Sequence, residues 1–323
     1  MDNLTHSLAG ALIGQMGLKR ASRFALAGCI LGANAPDIDV IAPLFLPVDN
    51  IAFHRGPTHA LFGLPVMAAC TVALLWLIDR IRPGKAGDLP FRAGPLFLVT
   101  LLAVATHPFL DWLTTYAVAF FAPAGERWYS ANAIFIIDWV YWIVLGLGIW
   151  LSVRRWRGGA GNPGRPAQVA GVILLLYIAA NVAWSAHAER TLAAALRQRG
   201  IQPRLIVASP PPFAFWERSM AWRSDREWGA GSFSPGTGLL LEPAVYPLGL
   251  DDPRFLRARA ERRIVRSFLY WSRMPIVVEV GGRPVLTDQR YHRNLDDPRV
   301  PAAIRRRAPR GQFQIPLDLP SRP

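Results

Sequence analysis

The chain has 323 residues, of which 52% are apolar and 18% charged, and its formal charge is +14. Two cysteines, Cys29 and Cys70, lie in separate apolar runs, which excludes a disulfide framework and reads as small core residues. The basic excess raises nucleic acid as a partner. No zinc finger, recognition helix or Gly-rich phosphate loop accompanies it, so no nucleic acid is expected. The charge reads instead as membrane topology plus an Arg-rich surface.

Residues 4–18 are apolar, with Gly10, Gly14 and Gly17 spaced for close helix packing. Asp2, His6 and Gly10 precede the first positive charges, which is not the form of a signal peptide. Residues 24–35 form a second apolar run, ended by Pro36. Neither run reaches the ~20 residues that a span needs, so a helical hairpin buried against other helices is expected. Residues 40–58 read as a loop, and residues 60–78 as an uncharged span. The run 96–121 contains His107, Pro108 and Asp111 and is expected to kink at its proline. The run 133–153 is apolar apart from Asp138, and 169–185 is the last expected span.

Residues 187–203 read as a helix leaving the membrane, broken by the prolines of 209–212. Strand-like pieces follow at 213–216, 238–241, 276–280 and 285–287, with Gly281-Gly282 suited to a hairpin turn. Residues 252–268 read as a helix, and the Pro- and Arg-rich end, 299–323, as a loose tail. The expected fold is mostly α. A multi-pass helical membrane domain over 1–186 precedes a small β-rich (α+β) soluble domain over 187–323.

Charge placement orients the membrane part. Residues 1–186 hold 13 Lys or Arg, and 11 of them fall in three loops, 19–23, 80–92 and 154–165. Successive spans put these loops on one side, which the positive-inside rule makes cytoplasmic. Most of the acids and His6, His54, His59 and His107 then face the other side. The C-terminal domain is expected there too, making this a multi-pass protein of the bacterial inner membrane with an extracytoplasmic domain.

The chemistry concentrates in Asn34-Ala-Pro-Asp-Ile-Asp39 and His54-Arg-Gly-Pro-Thr-His59. Two carboxylates and two imidazoles lie within 23 residues, between apolar segments. Such groups carry a functional default in a membrane. His107 and Asp111 are four apart and share a helix face, a spacing that suits two ligands of one metal. His6, Asp37, Asp39, His54, His59, His107 and Asp111 form the candidate ligand set. Imidazole with carboxylate and no thiolate suits a divalent metal, zinc first and manganese second. Such an ion activates water. Asp37 or Asp39 would then act as general base or ligand orienter, and Arg55 or Arg127 as a clamp on an anionic oxygen. Hydrolysis of a phosphoester, in particular a lipid headgroup, is the expected reaction, with the bilayer as partner. Each residue also has a structural reading: His6, Asp37 and Asp39 as helix caps, Asp111 as a partner of Thr114 or Thr115, Asp138 as a partner of Arg127. The alternative function is a non-enzymatic envelope protein, its cluster a structural metal site and its C-terminal domain a binder of a partner.

These residues resemble a known family, the bacterial inner-membrane proteins described as predicted membrane-bound metal-dependent hydrolases. The resemblance rests on Met1-Asp-Asn-Leu-Thr-His6, the two motifs above, His107-Pro-Phe-Leu-Asp111 with Thr114, Thr115 and Tyr116, and Ile134-Phe-Ile-Ile-Asp138. It covers residues 1–150 and extends weakly through Trp216 and Asp288-Gln-Arg-Tyr291. It implies the hydrolase activity. A more distant resemblance is to the helical zinc-dependent phospholipases C and single-strand nucleases. There the ligand order is matched by His6, Asp37 or Asp39, His54 or His59, and His107 with Asp111. This chain begins with Met1 where those enzymes carry a tryptophan ligand, and only Asp138 stands in for their second His-x-x-x-acid pair. One or two metals are therefore expected where those enzymes hold three.

Overall fold

The computed structural model describes residues 1–292 and 313–318. The chain divides into two compact units, one of Met1–His187 with Ser209–Glu217 and one of Ala188–Ala208 with Arg218–Pro323.

The first unit is helical. It contains α1 (Asn3–Gln15), α2 (Ala25–Gly32), a 3-10 segment (Ala35–Leu44), α3 (Asn50–Phe53), α4 (Gly63–Ile81), α5 (Ala93–Trp112), α6 (Trp139–Arg157) and most of α7 (Arg165–Gln198). Three helices are long and apolar enough to cross a membrane: α4, α5 and α7. The pair formed by α2 and the 3-10 segment, bent by 48°, is a fourth candidate, as a broken span or re-entrant loop. The expected span at 133–153 is corrected by the structure. Helix starts only at Trp139, where the Asp138 carboxylate accepts the N–H groups of Val140 and Tyr141. Arg154, Arg155 and Arg157 close the helix, and it is not among the helices apolar enough to cross. Asp138 also accepts the Tyr177 hydroxyl at 2.9 Å, so its partners are a helix end and a tyrosine, not Arg127. Residues 40–58 are likewise not a plain loop, because the 3-10 segment and α3 occupy much of that stretch.

Small residues set the spacing of these helices. A Cβ at Gly28 would lie 2.6 Å from Thr100 Oγ1, and one at Gly32 would lie 2.9 Å from Thr100 Cγ2. The two glycines are four apart, so they share the face of α2 that meets α5. One core cluster joins Ile13, Cys29, Leu75, Leu96 and Val99. Another joins Leu12, Leu110, Leu113, Ile134, Tyr141 and Leu145. Of the three glycines expected at close helix contacts, Gly10 abuts the Cys29 carbonyl and Gly14 abuts Leu26, whereas Gly17 has open space and a φ of +127°. Gly17 serves the turn after α1.

The second unit is built on two sheets. The first runs β1 (Leu205–Ser209), β2 (Arg218–Arg223), β3 (Glu227–Ser234), β4 (Gly238–Pro247) in spatial order, and the second β5 (Pro275–Val280), β6 (Arg283–Asp288), β7 (Gln314–Pro316). In them β2–β3, β3–β4, β5–β6 and β6–β7 pair antiparallel. Val278 pairs with Val285 across the β5–β6 hairpin, and Gly281 and Gly282 both take positive φ in its turn, as expected. The expected helix over 252–268 is two helices, α8 (Pro253–Glu261) and α9 (Arg263–Trp271), separated by Arg262 in extended conformation. Residues 213–216 form turns, not a strand, and belong to the first unit. Of the tail expected to be loose, 314–316 form β7 on β6; residues 299–312 and 319–323 lie outside the described residues.

Candidate metal centre

His107 and Asp111 stand one turn apart on α5, both fully buried, with His107 Nε2 3.4 Å from Asp111 Oδ2. The close α2–α5 approach lets the end of α2 reach them. His107 Nδ1 donates to the Ala33 carbonyl at 2.7 Å. A carbonyl only accepts, so the ring proton sits on Nδ1 and Nε2 keeps its lone pair.

The 3-10 segment begins immediately after Ala33 and Asn34. With three residues per turn, positions three apart share a face. Pro36 and Asp39 fall on the buried face, and Asp37 lies at its edge. Asp37 Oδ1 is 3.2 Å from His107 Nε2 and 3.4 Å from His59 Nε2.

The turn around Gly56 and Pro57 delivers His59. Its Nδ1 lies 3.0 Å from Thr58 Oγ1 and 3.3 Å from Asp39 Oδ2. Thr58 donates its own hydroxyl proton to Asp39 Oδ2 at 2.8 Å, so towards His59 it can only accept. The ring proton of His59 is thereby held on Nδ1, and Nε2 turns its lone pair inward. That atom is 3.3 Å from Asp111 Oδ2.

Four acceptor atoms therefore converge: Asp37 Oδ1, His59 Nε2, His107 Nε2 and Asp111 Oδ2. All lie within 4.8 Å of one another. Four of their separations are 3.2–3.4 Å. His107 Nε2 and Asp37 Oδ1, at 3.2 Å, are at the limit of hydrogen-bond distance, and the other three exceed the ~2.7–3.2 Å of good N–H···O hydrogen bonds. Ligands ~2.0–2.1 Å from a tetrahedral zinc stand ~3.3–3.4 Å apart. The buried atoms His59 Nε2 and Asp111 Oδ2 make no hydrogen bond, which in a low-dielectric interior is costly unless a cation binds them. The donor set, its spacing and its unpartnered atoms fit a divalent metal.

The remaining candidates surround this group. Asp39 accepts from His54 Nδ1 at 2.8 Å, from the Arg55 backbone N–H at 3.0 Å and from Thr58. Asp37, Asp39 and His54 also form a second group with mutually close ligand atoms. Arg55 has φ +64°, a left-handed conformation that costs a non-glycine residue energy. This conformation accompanies its two contacts, backbone to Asp39 and guanidinium to Asp111 Oδ1 at 2.9 Å. The guanidinium also donates to Thr114 Oγ1 at 3.0 Å and stacks over Tyr116. Thr114 in turn donates to the Asp111 backbone carbonyl. His6 is fully buried. Its ring stacks on His107 with centroids 3.7 Å apart, and Nε2 is 3.5 Å from Asp111 Oδ1. Neither of its ring nitrogens makes a hydrogen bond. The Met1 amine pairs with the same Asp111 oxygen, because Asp2 caps α1 through Thr5 and folds Met1 inward.

All seven sequence-derived ligand candidates and Arg55 thus occupy one neighbourhood. Sequence reasoning missed Thr58, the Ala33 carbonyl and the Met1 amine. Thr58 had a signal, as the neighbour of His59 inside the motif. A backbone carbonyl carries none. Solvent reaches the group through two side chains, Asp37 and His54, which are 20% and 21% exposed, against none for Asp39, His59, His107 and Asp111.

Residues 1–188 match the model of the YdjM inner membrane protein family. The uncharacterized protein YfhP of Bacillus subtilis (strain 168) is 26% identical over 202 residues, covering 59% of this chain and 57% of that protein. The matched region thus spans little more than half the length of this relative. No solved structure matches the chain.

Proposed function

Because the chain belongs to the YdjM inner membrane protein family, we propose that its His/Asp cluster is the centre of a membrane-bound, metal-dependent hydrolase acting on a phosphoester. One observation carries this reading: four lone-pair atoms meet at ligand spacing in a buried pocket, and two of them have no hydrogen bond. Asp37, His59, His107 and Asp111 would hold the ion, zinc by donor type, with manganese second. When bound, such an ion lowers the pKa of a coordinated water towards ~7 and polarises a phosphoryl oxygen.

The chain's own residues divide the remaining work. Asp39 and Thr58 orient His59, and the Ala33 carbonyl orients His107; such partners fix ring orientation and raise ligand basicity. Arg55 occupies Asp111 Oδ1, which leaves Oδ2 to face the ligand position. Arg55 also supplies positive charge beside three carboxylates, where it favours an anionic substrate. Asp37 is partly exposed and is the carboxylate placed to accept a proton from an attacking water. His6, stacked on His107 with both ring nitrogens free of hydrogen bonds, would be a further donor beside this ligand group.

The basic loops 19–23 and 80–92 support placing the centre on the extracytoplasmic side, and the C-terminal unit would share that side if α6, with its basic end at Arg154, Arg155 and Arg157, also crosses. A reporter fused after Pro323 that gives a cytoplasmic signal overturns that placement. The function is tested by metal content and phosphoesterase turnover of detergent-purified protein beside His107→Ala and Asp111→Asn. Loss of both properties in folded, membrane-inserted variants is expected. Normal turnover in either variant ends the proposal. Metal-dependent folding without turnover on any phosphoester makes the cluster a structural staple.

A further inference from the structure

The partly exposed Asp37 of the centre lies beside an uncovered apolar stripe. On the 3-10 segment, Ile38, Ile41 and Leu44 are three apart and therefore form one face. All three are exposed, as are Val40 and Phe45, with Leu44 at 78% and Phe45 at 76%. No charged side chain interrupts residues 40–48. Asp37, one of the two side chains through which the centre opens, precedes this stripe directly.

Three facts say what covers it. The segment is the second limb of the bent pair that passes as an apolar membrane element. The family is one of inner membrane proteins. A contiguous apolar face this bare is costly against water and costs nothing against acyl chains. The polar mouth and the greasy stripe are thus adjacent parts of one segment, with its carboxylates turned inward and its aliphatic side chains outward.

We infer that the substrate is a membrane glycerophospholipid, its phosphoester at the Asp37–His54 opening and its acyl chains along Ile38, Ile41, Leu44 and Phe45. This inference rests on the hydrolase reading above and names its substrate class. It assigns the 3-10 segment two tasks, metal binding through Asp37 and chain recognition through the neighbouring Ile38–Ile41–Leu44 face, continued by Phe45 at the segment's end.

The test uses the full-length protein, loaded with zinc, in detergent micelles. Dioleoyl phosphatidic acid and dioleoyl phosphatidylglycerol are compared with their dibutanoyl counterparts and with bis-p-nitrophenyl phosphate. Leu44→Asp and Phe45→Asp are assayed beside the parent, with bound metal measured as the folding control. The expected result is a kcat/KM preference for the long-chain substrate of at least ~10-fold, since each added methylene contact contributes. The variants should lose that preference while keeping their metal and their rate on soluble substrates. Equal kcat/KM on long-chain and short-chain substrates, or a uniform loss across all substrates in the variants, overturns the inference and leaves the hydrolase reading intact. Absence of turnover on every phosphoester, with metal bound, removes the hydrolase reading and this inference together.

Discussion

Two buried carboxylates, one in each unit, show what separates a structural site from a binding site. Asp288 closes β6, and its side chain is fully buried. Its Oδ2 accepts from Ser272 Oγ at 2.5 Å, from the Arg273 and Met274 backbone N–H groups at 3.1 Å each and from an Arg290 guanidinium nitrogen at 2.8 Å. Its Oδ1 accepts from the Arg290 backbone and Nε. Burial raises its pKa, but Arg290 and these donors outweigh that and hold it down at about 2. Asp111 is equally buried, yet its Oδ2 makes no hydrogen bond and faces His59 Nε2 at 3.3 Å and His107 Nε2 at 3.4 Å. The chain answers every acceptor of Asp288 with a donor. At Asp111 it answers one oxygen and presents the other to further acceptors. The first arrangement is complete within the protein, and the second calls for a cation.

This contrast can be broken experimentally, beginning with the largest effect. Asp111→Asn should remove essentially all bound metal, because an amide oxygen is a weak replacement for a charged ligand; metal analysis by mass spectrometry reads it directly. Asp288→Asn should leave the metal in place and destabilise the β-rich unit by roughly 3–5 kcal/mol, the usual cost of stranding a buried partner. Denaturant unfolding followed through Trp271, over which Arg290 stacks, measures it. If metal is lost in Asp288→Asn, or kept in Asp111→Asn, the distinction fails.

Smaller effects sharpen the contrast. Asp39→Asn should weaken metal affinity about 10–100-fold without abolishing binding, the range for an orienting partner; competition with a chromogenic chelator distinguishes this from loss of a direct ligand. Acid should act on the β-rich unit through Asp288. Its folded pKa lies below the unfolded value, so its stabilisation, about 2 kcal/mol, is present above pH ~4 and disappears as pH falls towards ~2. Urea midpoints at neutral pH and at pH ~3, compared between parent and Asp288→Asn, isolate it, since the variant lacks this dependence. At the small end, Asp138→Ala should cost about 1 kcal/mol as a lost N-cap, seen as a modest drop in melting temperature with metal content unchanged.

Much of the candidate metal centre was legible in the sequence because its chemistry is carried by residues that are rare in apolar runs. His107 and Asp111 could be paired from spacing alone, since a helix repeats locally and α5 continues through Pro108 to Trp112. The choice between Asp37 and Asp39 could not be made, nor that between His54 and His59. It depends on the segment being a 3-10 helix of three residues per turn, and on Thr58 donating its hydroxyl hydrogen bond to Asp39. Neither follows from local propensity. The sequence likewise marked α4, α5 and α7 as membrane-compatible, by unbroken hydropathy, and the hairpin at Gly281-Gly282, by its turn chemistry. It did not show that 213–216 would join the helical unit or that 314–316 would pair with β6, because strand pairing and domain membership are long-range choices. By itself, then, the sequence determined which groups are available and which segments suit a membrane, since both are properties of residue type and near spacing. Only the tertiary structure decided which lone pairs face one another. That required α2 to lie against α5 through Gly28 and Gly32, so that the Ala33 carbonyl could orient His107 from 74 residues away.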